Sequence, residues 1–319
     1  MQWLARGNGN KKLEVNLMFA KNNSSSKPDF KLILSLLIVG IVWGTTYLGI
    51  RVAVETIQPW FITSIRQGIA ALIVLMILIF KKQFAWIGWE QFKVQLILSI
   101  LMLVFANSFT TIAEQTIPSG LTSIMSALSP VIVFIGSVLF GIQKPTWKGF
   151  FGVLLGFTGV LFIFRNGLSD ILDPNYKVGI TYLTIAILSW SIAVLYSKKH
   201  AHQTNNITQN LFYQFSIASL IQLILAFVFS SDADVNLWSF RSFAAVVYLA
   251  VFGSVIAFFA YYYALQRVSA VRVSVLNYVN TIIAIFLGWL LLDEVITTDF
   301  IIAAALIMSG VFIINYQRK

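Results

Sequence analysis

The fold is decided by residues 113–163, which read AEQTIPSGLTSIMSALSPVIVFIGSVLFGIQKPTWKGFFGVLLGFTGVLFI. The pattern returns 151 positions later in residues 264–314, which read ALQRVSAVRVSVLNYVNTIIAIFLGWLLLDEVITTDFIIAAALIMSGVFII. Ala113 falls on Ala264, and the apolar and small residues between the sparse identities stay in phase without a gap. Such self-similarity is the signature of a duplicated structural unit.

A slightly smaller shift of 147 positions extends the match toward the N-terminus. Trp43 falls on Trp190, and the basic residue that follows it, Arg51, falls on Lys198. The chain is therefore predicted to contain two copies of one unit of roughly 140 residues.

The composition is that of an integral membrane protein. Hydrophobic residues make up 58% of the sequence and charged residues only 11%, with a mean hydropathy of +0.84. A soluble domain is about 25% charged, so this chain lacks the polar shell that a soluble core requires. Because the sequence has no cysteine, it excludes disulfides, thiolate metal sites and cysteine nucleophiles. The net charge of +10 sits in short loops between apolar runs, which indicates membrane topology and not nucleic-acid binding.

Ten apolar segments follow a polar N-terminal region, and each is long enough, or nearly so, to cross about 30 Å of hydrocarbon as a helix. They cover residues 32–50, 59–80, 94–113, 119–141, 147–164, 178–197, 208–230, 242–263, 270–292 and 299–316. Helices are required because lipid offers backbone groups no partner, and continuous apolar runs do not fit barrel strands. Residues 1–30 are predicted to form a disordered cytoplasmic tail, followed by five-helix repeats over 31–166 and 177–317.

The distribution of lysine and arginine predicts the orientation of these spans. With the N-terminus inside, 17 basic residues lie on the inner side and 4 on the outer side, while Arg66 falls within a span. Basic loops stay in the cytoplasm, so both termini are expected there. Each repeat has an odd number of spans, so the two copies insert upside down relative to each other. The predicted fold is an all-α integral membrane protein of ten transmembrane helices in two inverted repeats, which is typical of secondary transporters.

Several landmarks recur at the expected places in this frame. They are Trp43-Gly44 with a basic residue eight positions after the tryptophan, Arg66, Ser119-Gly120 leading to Pro130, Asp293-Glu294, and Gly159 with its echo Gly310. With them the chain resembles the EamA-type permeases of the drug/metabolite transporter superfamily over about residues 32–316. The resemblance implies a central cavity lined by spans 1–4 and 6–9. It also implies export of small metabolites, such as amino acids, amines or drugs, across a bacterial cytoplasmic (inner) membrane.

Polar groups inside a membrane are costly, so their positions indicate where a cavity lies. The residues predicted to bind substrate are Trp43, Tyr47, Arg66, Asn107, Thr111, Ser126, Trp190, Tyr213, Phe258, Asn277 and Asn280. Arg66 is interpreted as an anion site, with snorkelling or an ion pair with Glu114 or Glu55 as the alternative. The serine and asparagines alternatively serve as contacts between helices, and the tryptophans as core.

Glu114 is the candidate carboxylate for a coupling proton, and the alternative is an outer loop residue held near the interface. No phosphate-binding loop is present. His200 and His202 share a basic loop that lacks further metal ligands. We therefore expect no enzymatic activity, no metal and no cofactor, with a small-molecule substrate and the lipid bilayer as partners. The oligomer is expected to be a monomer or a homodimer. A nucleotide-sugar or phosphate-sugar exchanger and a non-transporting receptor or scaffold remain alternatives.

Overall fold

The computed structural model describes residues 29–117, 119–163, 174–200, 206–230, 233–292 and 298–315. The predicted tail over residues 1–30 lies almost wholly outside the described residues. Within them the structure is helical and contains no strand. The helices are α1 (Phe30–Ala53), α2 (Pro59–Phe80), α3 (Trp89–Ala113), α4 (Ser119–Ser126), α5 (Ser129–Leu139), α6 (Trp147–Ile163), α7 (Lys177–His200), α8 (Ile207–Phe229), α9 (Phe240–Arg267), α10 (Ala270–Ser274), α11 (Leu276–Leu292) and α12 (Thr298–Asn315).

Six of the described helices are long and apolar enough to cross a bilayer, namely α1, α2, α3, α7, α8 and α9. Four further apolar helical stretches within residues 129–139, 147–162, 270–284 and 301–314 are shorter. Large apolar side chains such as Leu72 and Phe227 stay more than 60% exposed on the outside of the bundle. Such a surface requires a hydrocarbon solvent, so the protein is a multi-pass membrane protein.

Local chemistry sets where several helices begin. The Asp29 carboxylate accepts the backbone N–H groups of Lys31 and Leu32 at the start of α1. The Asn206 side chain does the same for the first turn of α8. The first position of α2 is Pro59, whose missing N–H would have had no helical partner there.

Two segments predicted to be continuous are each interrupted in the structure. Residues 119–141 divide into α4 and α5 at Ala127-Leu128, two residues before Pro130. The proline has no N–H for the helical ladder, which explains a break at this point. Residues 270–292 divide into α10 and α11 at Val275, where the sequence contains no proline.

Two π-helical segments interrupt the long helices α3 and α9. The first covers Ser99–Asn107 and the second covers Leu249–Ile256. A shift of 151 positions superimposes most of one segment on the other. The irregularity is therefore duplicated together with the sequence. Wide π turns of this kind frequently lie at functional sites.

The helices pack in pairs that the repeat relates to one another. α2 packs on α8, and α6 packs on α12, so each of these helices contacts its own counterpart. The contacts of α1 with α11 and α9 correspond to those of α7 with α5 and α3. Between α6 and α12 the backbones approach closely, because a Cβ on Gly310 would lie 2.5 Å from the carbonyl oxygen of Gly152.

One contact between a basic side chain and a helix end recurs at equivalent positions in the two copies. The guanidinium of Arg51 donates to the carbonyl oxygen of Glu114 at 2.8 Å, at the C-terminal end of α3. The ammonium of Lys198 donates to the carbonyl oxygens of Leu265 at 2.6 Å and Val268 at 2.7 Å, at the C-terminal end of α9. The last carbonyls of a helix lack intrahelical donors and attract cations. We call these two places the Arg51 end and the Lys198 end of the bundle.

Candidate functional site

A cavity with about 680 Å³ of empty space lies between eight of the helices, drawn from both copies of the repeat. Part of this space is open to solvent. Its lining residues are Trp43, Thr46, Tyr47, Ile50, Arg66, Ala106, Asn107, Thr110, Ser126, Ser129, Ala186, Ile187, Trp190, Phe258, Asn277 and Asn280.

One wall of the cavity is aromatic. The rings of Trp43 and Trp190 meet edge to face with centroids 5.1 Å apart, and Phe258 lies 5.6 Å from Trp43 and 6.3 Å from Trp190. The indole N–H of Trp43 donates to the carbonyl oxygen of Gly253 at 3.1 Å. Gly253 belongs to the π segment of α9. The wall is thus fixed by ring packing and by one partly buried hydrogen bond.

Arg66 supplies a positive charge on another wall. Its side chain is only 3% exposed, and its Nε donates to the hydroxyl of Ser254 at 2.9 Å. Within the described part of the chain Arg66 forms no ion pair, since Glu55 lies 3.9 Å from Arg241 and Glu114 accepts from Arg51 through its backbone. Among the described lining residues Arg66 alone is charged. A buried guanidinium without a carboxylate partner favours an anionic ligand.

Two of the lining amides differ in their hydrogen bonds. In the orientation that satisfies both of its side-chain atoms, the Asn280 nitrogen donates to the carbonyl oxygens of Gly40 at 2.8 Å and Leu276 at 3.1 Å. Asn280 therefore ties α11 to α1 as well as lining the cavity. The side-chain nitrogen of Asn107 is buried and has no acceptor within hydrogen-bond distance among the described residues. This donor is available to a bound solute.

Hydroxyl groups complete the lining. The hydroxyl of Ser126 donates to the carbonyl oxygen of Thr122 at 2.8 Å, and the hydroxyls of Ser129 and Ser191 are 3.0 Å apart. Thr46 donates to the carbonyl oxygen of Trp43 at 2.7 Å. Most hydroxyls therefore have protein partners and shape the cavity.

Glu114 lies just beyond this lining, one helical turn after Thr110 and immediately after the last residue of α3. Its side chain is fully buried, and neither carboxyl oxygen has a hydrogen-bond partner among the described residues. Burial raises the pKa of the Glu114 carboxyl well above its usual range, whereas the charge of Arg51 acts in the opposite direction. The equivalent residue in the second copy is Leu265, which accepts the Lys198 ammonium in the same way. In the second copy an apolar side chain therefore occupies this position, and the contact with the basic residue is still formed.

The structure brings nine of the eleven predicted binding residues together around the cavity. Thr111 lies behind the lining, where its hydroxyl donates to the carbonyl oxygen of Asn107 at 2.9 Å. Tyr213 lies away from the cavity, with its hydroxyl 3.3 Å from the carbonyl oxygen of Ala85. Lining residues absent from the prediction include Thr46 and Thr110. The remaining ones are Ile50, Ala106, Ser129, Ala186 and Ile187.

Comparison with known proteins places this architecture in a family. The sequence profile of the EamA-like transporter family matches residues 30–165 and again residues 177–316. The two matches correspond closely to the two copies recognised in the sequence.

Curated relatives match nearly the whole chain. The uncharacterized transporter YoaV of Bacillus subtilis (strain 168) is 26% identical over 282 residues, which cover 88% of this chain and 96% of that protein. The uncharacterized inner membrane transporter YedA of Escherichia coli (strain K12) is 28% identical over 286 residues, covering 87% of this chain and 88% of that protein. Protein PagO of Salmonella typhimurium is 28% identical over 283 residues, which cover 89% of this chain and 92% of that protein.

A solved crystal structure has the same fold, with a TM-score of 0.73 at 16% sequence identity, and the match covers 89% of this chain and 96% of that one. The family and the relatives named as transporters give the protein a transporter role and leave the solute unspecified. Since the family profile matches twice and the two matches together cover most of the chain, the chain belongs to the EamA-like transporter family.

Proposed function

We propose that the protein is a secondary-active transporter that exports small amphipathic solutes bearing a carboxylate, such as amino acids, by alternating access. The observation that carries this proposal is the lining of the cavity. The unpaired guanidinium of Arg66 favours an anionic group, and the rings of Trp43, Trp190 and Phe258 favour an apolar one. The free amide nitrogen of Asn107 adds a hydrogen-bond donor between them.

The two cation-to-carbonyl contacts support an inverted relation between the copies. A Cβ on Gly179, near the start of α7, would lie 3.2 Å from the carbonyl oxygen of Ala113 at the end of α3. α7 therefore begins beside the Arg51 end. Lys198 follows Gly179 by 19 residues of helix, which corresponds to about 28 Å at 1.5 Å per residue. Equivalent contacts at opposite ends of the bundle are what alternating access between inverted repeats requires.

The proposed location is a bacterial cytoplasmic membrane, with both termini in the cytoplasm and the Arg51 end outside. The bias of basic residues supports this orientation. The chain has no cysteine, so single substitutions can be labelled without background. Asp170→Cys and Lys199→Cys should react with a membrane-impermeant thiol reagent from opposite faces. Reaction of both from one face contradicts the inverted arrangement.

Reconstitution tests the function directly. Proteoliposomes preloaded with a labelled amino acid should exchange it for external solutes that carry both a carboxylate and an apolar group. Arg66→Gln should weaken competition by carboxylates while leaving uncharged analogues unaffected. Arg241→Gln is the matched control, because Arg241 is an exposed arginine paired only loosely with Glu55. If no solute in a panel of amino acids, amines and sugars moves under any imposed gradient, the transporter proposal is wrong.

The phosphate-sugar exchanger is less well supported by the same cavity. A nucleotide sugar or a phosphorylated sugar carries two or more negative charges near one another. Such a group calls for several converging cations, and Arg66 is the single charged side chain of the described lining.

Glu114 is the proposed site of the coupling proton. Its buried carboxyl lies between the cavity and the Arg51 end, and its oxygens have no hydrogen-bond partner among the described residues. In proteoliposomes Glu114→Gln should preserve solute exchange at equal pH and abolish the response of net transport to an imposed pH gradient. Glu55→Gln, at an exposed carboxylate, should preserve both the solute exchange at equal pH and the response to a pH gradient. A normal pH response of Glu114→Gln would place the coupling elsewhere without affecting the proposed solute site.

A further inference from the structure

A basic groove opens at the Lys198 end of the bundle. It lies between the segment joining α5 to α6 and the segment joining α9 to α10, and it has about 1230 Å³ of empty space up to its open mouth. Its charged lining residues are Lys144, Lys148, Arg267 and Arg272, and none of the described lining residues is acidic. The cations come in equal number from the two copies of the repeat. Four positive charges therefore converge on a space that neither copy encloses alone.

One of the four cations is held in place by its neighbours. The Arg267 guanidinium lies 3.4 Å above the ring of Tyr263, and its Nη1 donates to the Tyr263 carbonyl oxygen at 3.0 Å. The nearest carboxylate is that of Asp29, which lies 4.0 Å from the Arg267 Nε. Both partners of this pair are more than a third exposed, so the attraction is weak. Asp29 therefore does not neutralise Arg267.

Helix α6, which contributes Lys148 and Gly149 to the groove, also carries exposed aromatic side chains. Trp147, at the start of α6, is 77% exposed, and its ring stacks on that of Phe151 with centroids 5.8 Å apart. Phe150 and Phe151 are also exposed on α6. Exposed tryptophan at the end of an apolar helix marks the level of lipid headgroups. Positive charge at headgroup level beside a hydrocarbon-facing helix suits a molecule with an anionic head and an apolar tail.

We propose that this groove binds the phosphate headgroup of an anionic phospholipid, whose acyl chains lie along the exposed face of α6. The general excess of basic residues in inner loops explains why cations occur on this side, but it does not explain their convergence. Lys81, Lys82 and Lys93 do not line the groove, and Lys93 is paired with Glu90 at 2.9 Å. Basic pockets between transmembrane helices are a known way of holding anionic lipids.

The test uses the purified full-length protein in a neutral detergent, titrated with phosphatidylglycerol, phosphatidylcholine or glycerol phosphate. Phosphatidylglycerol should raise the unfolding temperature and remain bound in native mass spectra, while the other two do neither. The combined variant Lys144→Gln, Lys148→Gln, Arg272→Gln should bind phosphatidylglycerol at least about tenfold more weakly. The control is Lys81→Gln, Lys82→Gln, Lys93→Gln, which removes the same charge outside the groove and should bind like the wild type.

Equal weakening in the two triple variants would overturn the proposal, because it would reflect general surface charge. An equal effect of glycerol phosphate would also overturn it, since the site would then recognise free phosphate and not a lipid. If the groove variant fails to fold, Lys144→Gln alone decides the matter. Lys144 is an exposed residue between helices, and its substitution should still weaken lipid binding relative to Lys81→Gln.

Discussion

Trp43 and Trp190 occupy equivalent positions in the two copies of the repeat, and their rings touch edge to face with centroids 5.1 Å apart. When two copies of a unit are related by a two-fold rotation, a residue meets its own counterpart only close to the rotation axis. Both indoles also line the candidate cavity. The place where the copies meet is therefore also the place where a solute would be held.

The first prediction concerns the indole N–H of Trp43. Trp43→Phe retains an aromatic ring but leaves the buried carbonyl of Gly253 without its donor. We expect a loss of about 1 kcal/mol in stability and reduced exchange of solute, measured by thermal unfolding and by proteoliposome counterflow. Trp147→Phe is the control, since Trp147 is exposed at the surface of the bundle. This substitution should change neither the thermal stability nor the exchange of solute. Unchanged exchange in Trp43→Phe would show that Trp43 is only a packing residue.

The repeat made much of this site predictable from the sequence. Trp43 and Trp190 were marked by their equivalence, and Asn277 by its pairing with Ser126 in the first copy. Equivalence was misleading for Tyr213, the counterpart of Arg66. Tyr213 packs edge to face against Trp86, in the segment between α2 and α3, instead of facing the cavity. The two copies share a backbone framework, whereas their side-chain environments have diverged.

Helical periodicity identified the lining face of α3 only approximately. Asn107 and Thr111 were assigned to one lining face by their spacing of four residues. In the structure Thr110 lines the cavity beside Asn107, and the Thr111 hydroxyl bonds back to the Asn107 carbonyl oxygen. The break of the second copy at Val275 was also beyond prediction, because no proline or glycine marks it.

The second prediction concerns the close approach of α6 and α12. Gly310→Ala places a methyl group against the carbonyl oxygen of Gly152, a backbone atom that cannot rotate away. We expect a loss of about 1–3 kcal/mol in thermal stability. Gly40→Ala is the matched control, since its Cβ would meet the Val279 side chain at an ordinary 3.4 Å. Alanine is favoured over glycine in a helix, so this control should be neutral or slightly stabilising, and equal losses in both variants would refute the argument.

The third prediction concerns the two capping cations. Arg51→Gln removes the charge that holds α1 to the end of α3, and Lys198→Gln does the same for α7 and α9. Each should loosen its own end of the bundle only. A reporter cysteine at Thr110, which lines the cavity toward the Arg51 end, should react faster with a membrane-impermeant reagent in Arg51→Gln.

Reaction at the other end provides the matching control. A reporter cysteine at Leu98 shares a pocket with Leu265 near the Lys198 contact, and it should respond to Lys198→Gln but not to Arg51→Gln. If either substitution increases the labelling rate of both reporter cysteines equally, the contacts stabilise the whole bundle and do not close its separate ends.

The last prediction follows from the buried carboxyl of Glu114. Its pKa in the folded protein is raised by burial, so the folded state binds this proton more tightly than the unfolded state does. The stabilising contribution is complete below about pH 4.3, the ordinary pKa of a glutamate, and is lost as the pH rises through the raised value. Glu114→Gln should therefore be more stable than the wild type at alkaline pH, and its unfolding temperature should fall less steeply as the pH rises above about 4.3. Glu55→Gln, at an exposed side chain paired at 3.9 Å with Arg241, should keep the wild-type profile.

The opposite outcome is a Glu114→Gln profile that runs parallel to that of the wild type. It would mean that the Glu114 carboxyl is already ionised in the folded protein, and the assignment of Glu114 as the proton site would then be wrong.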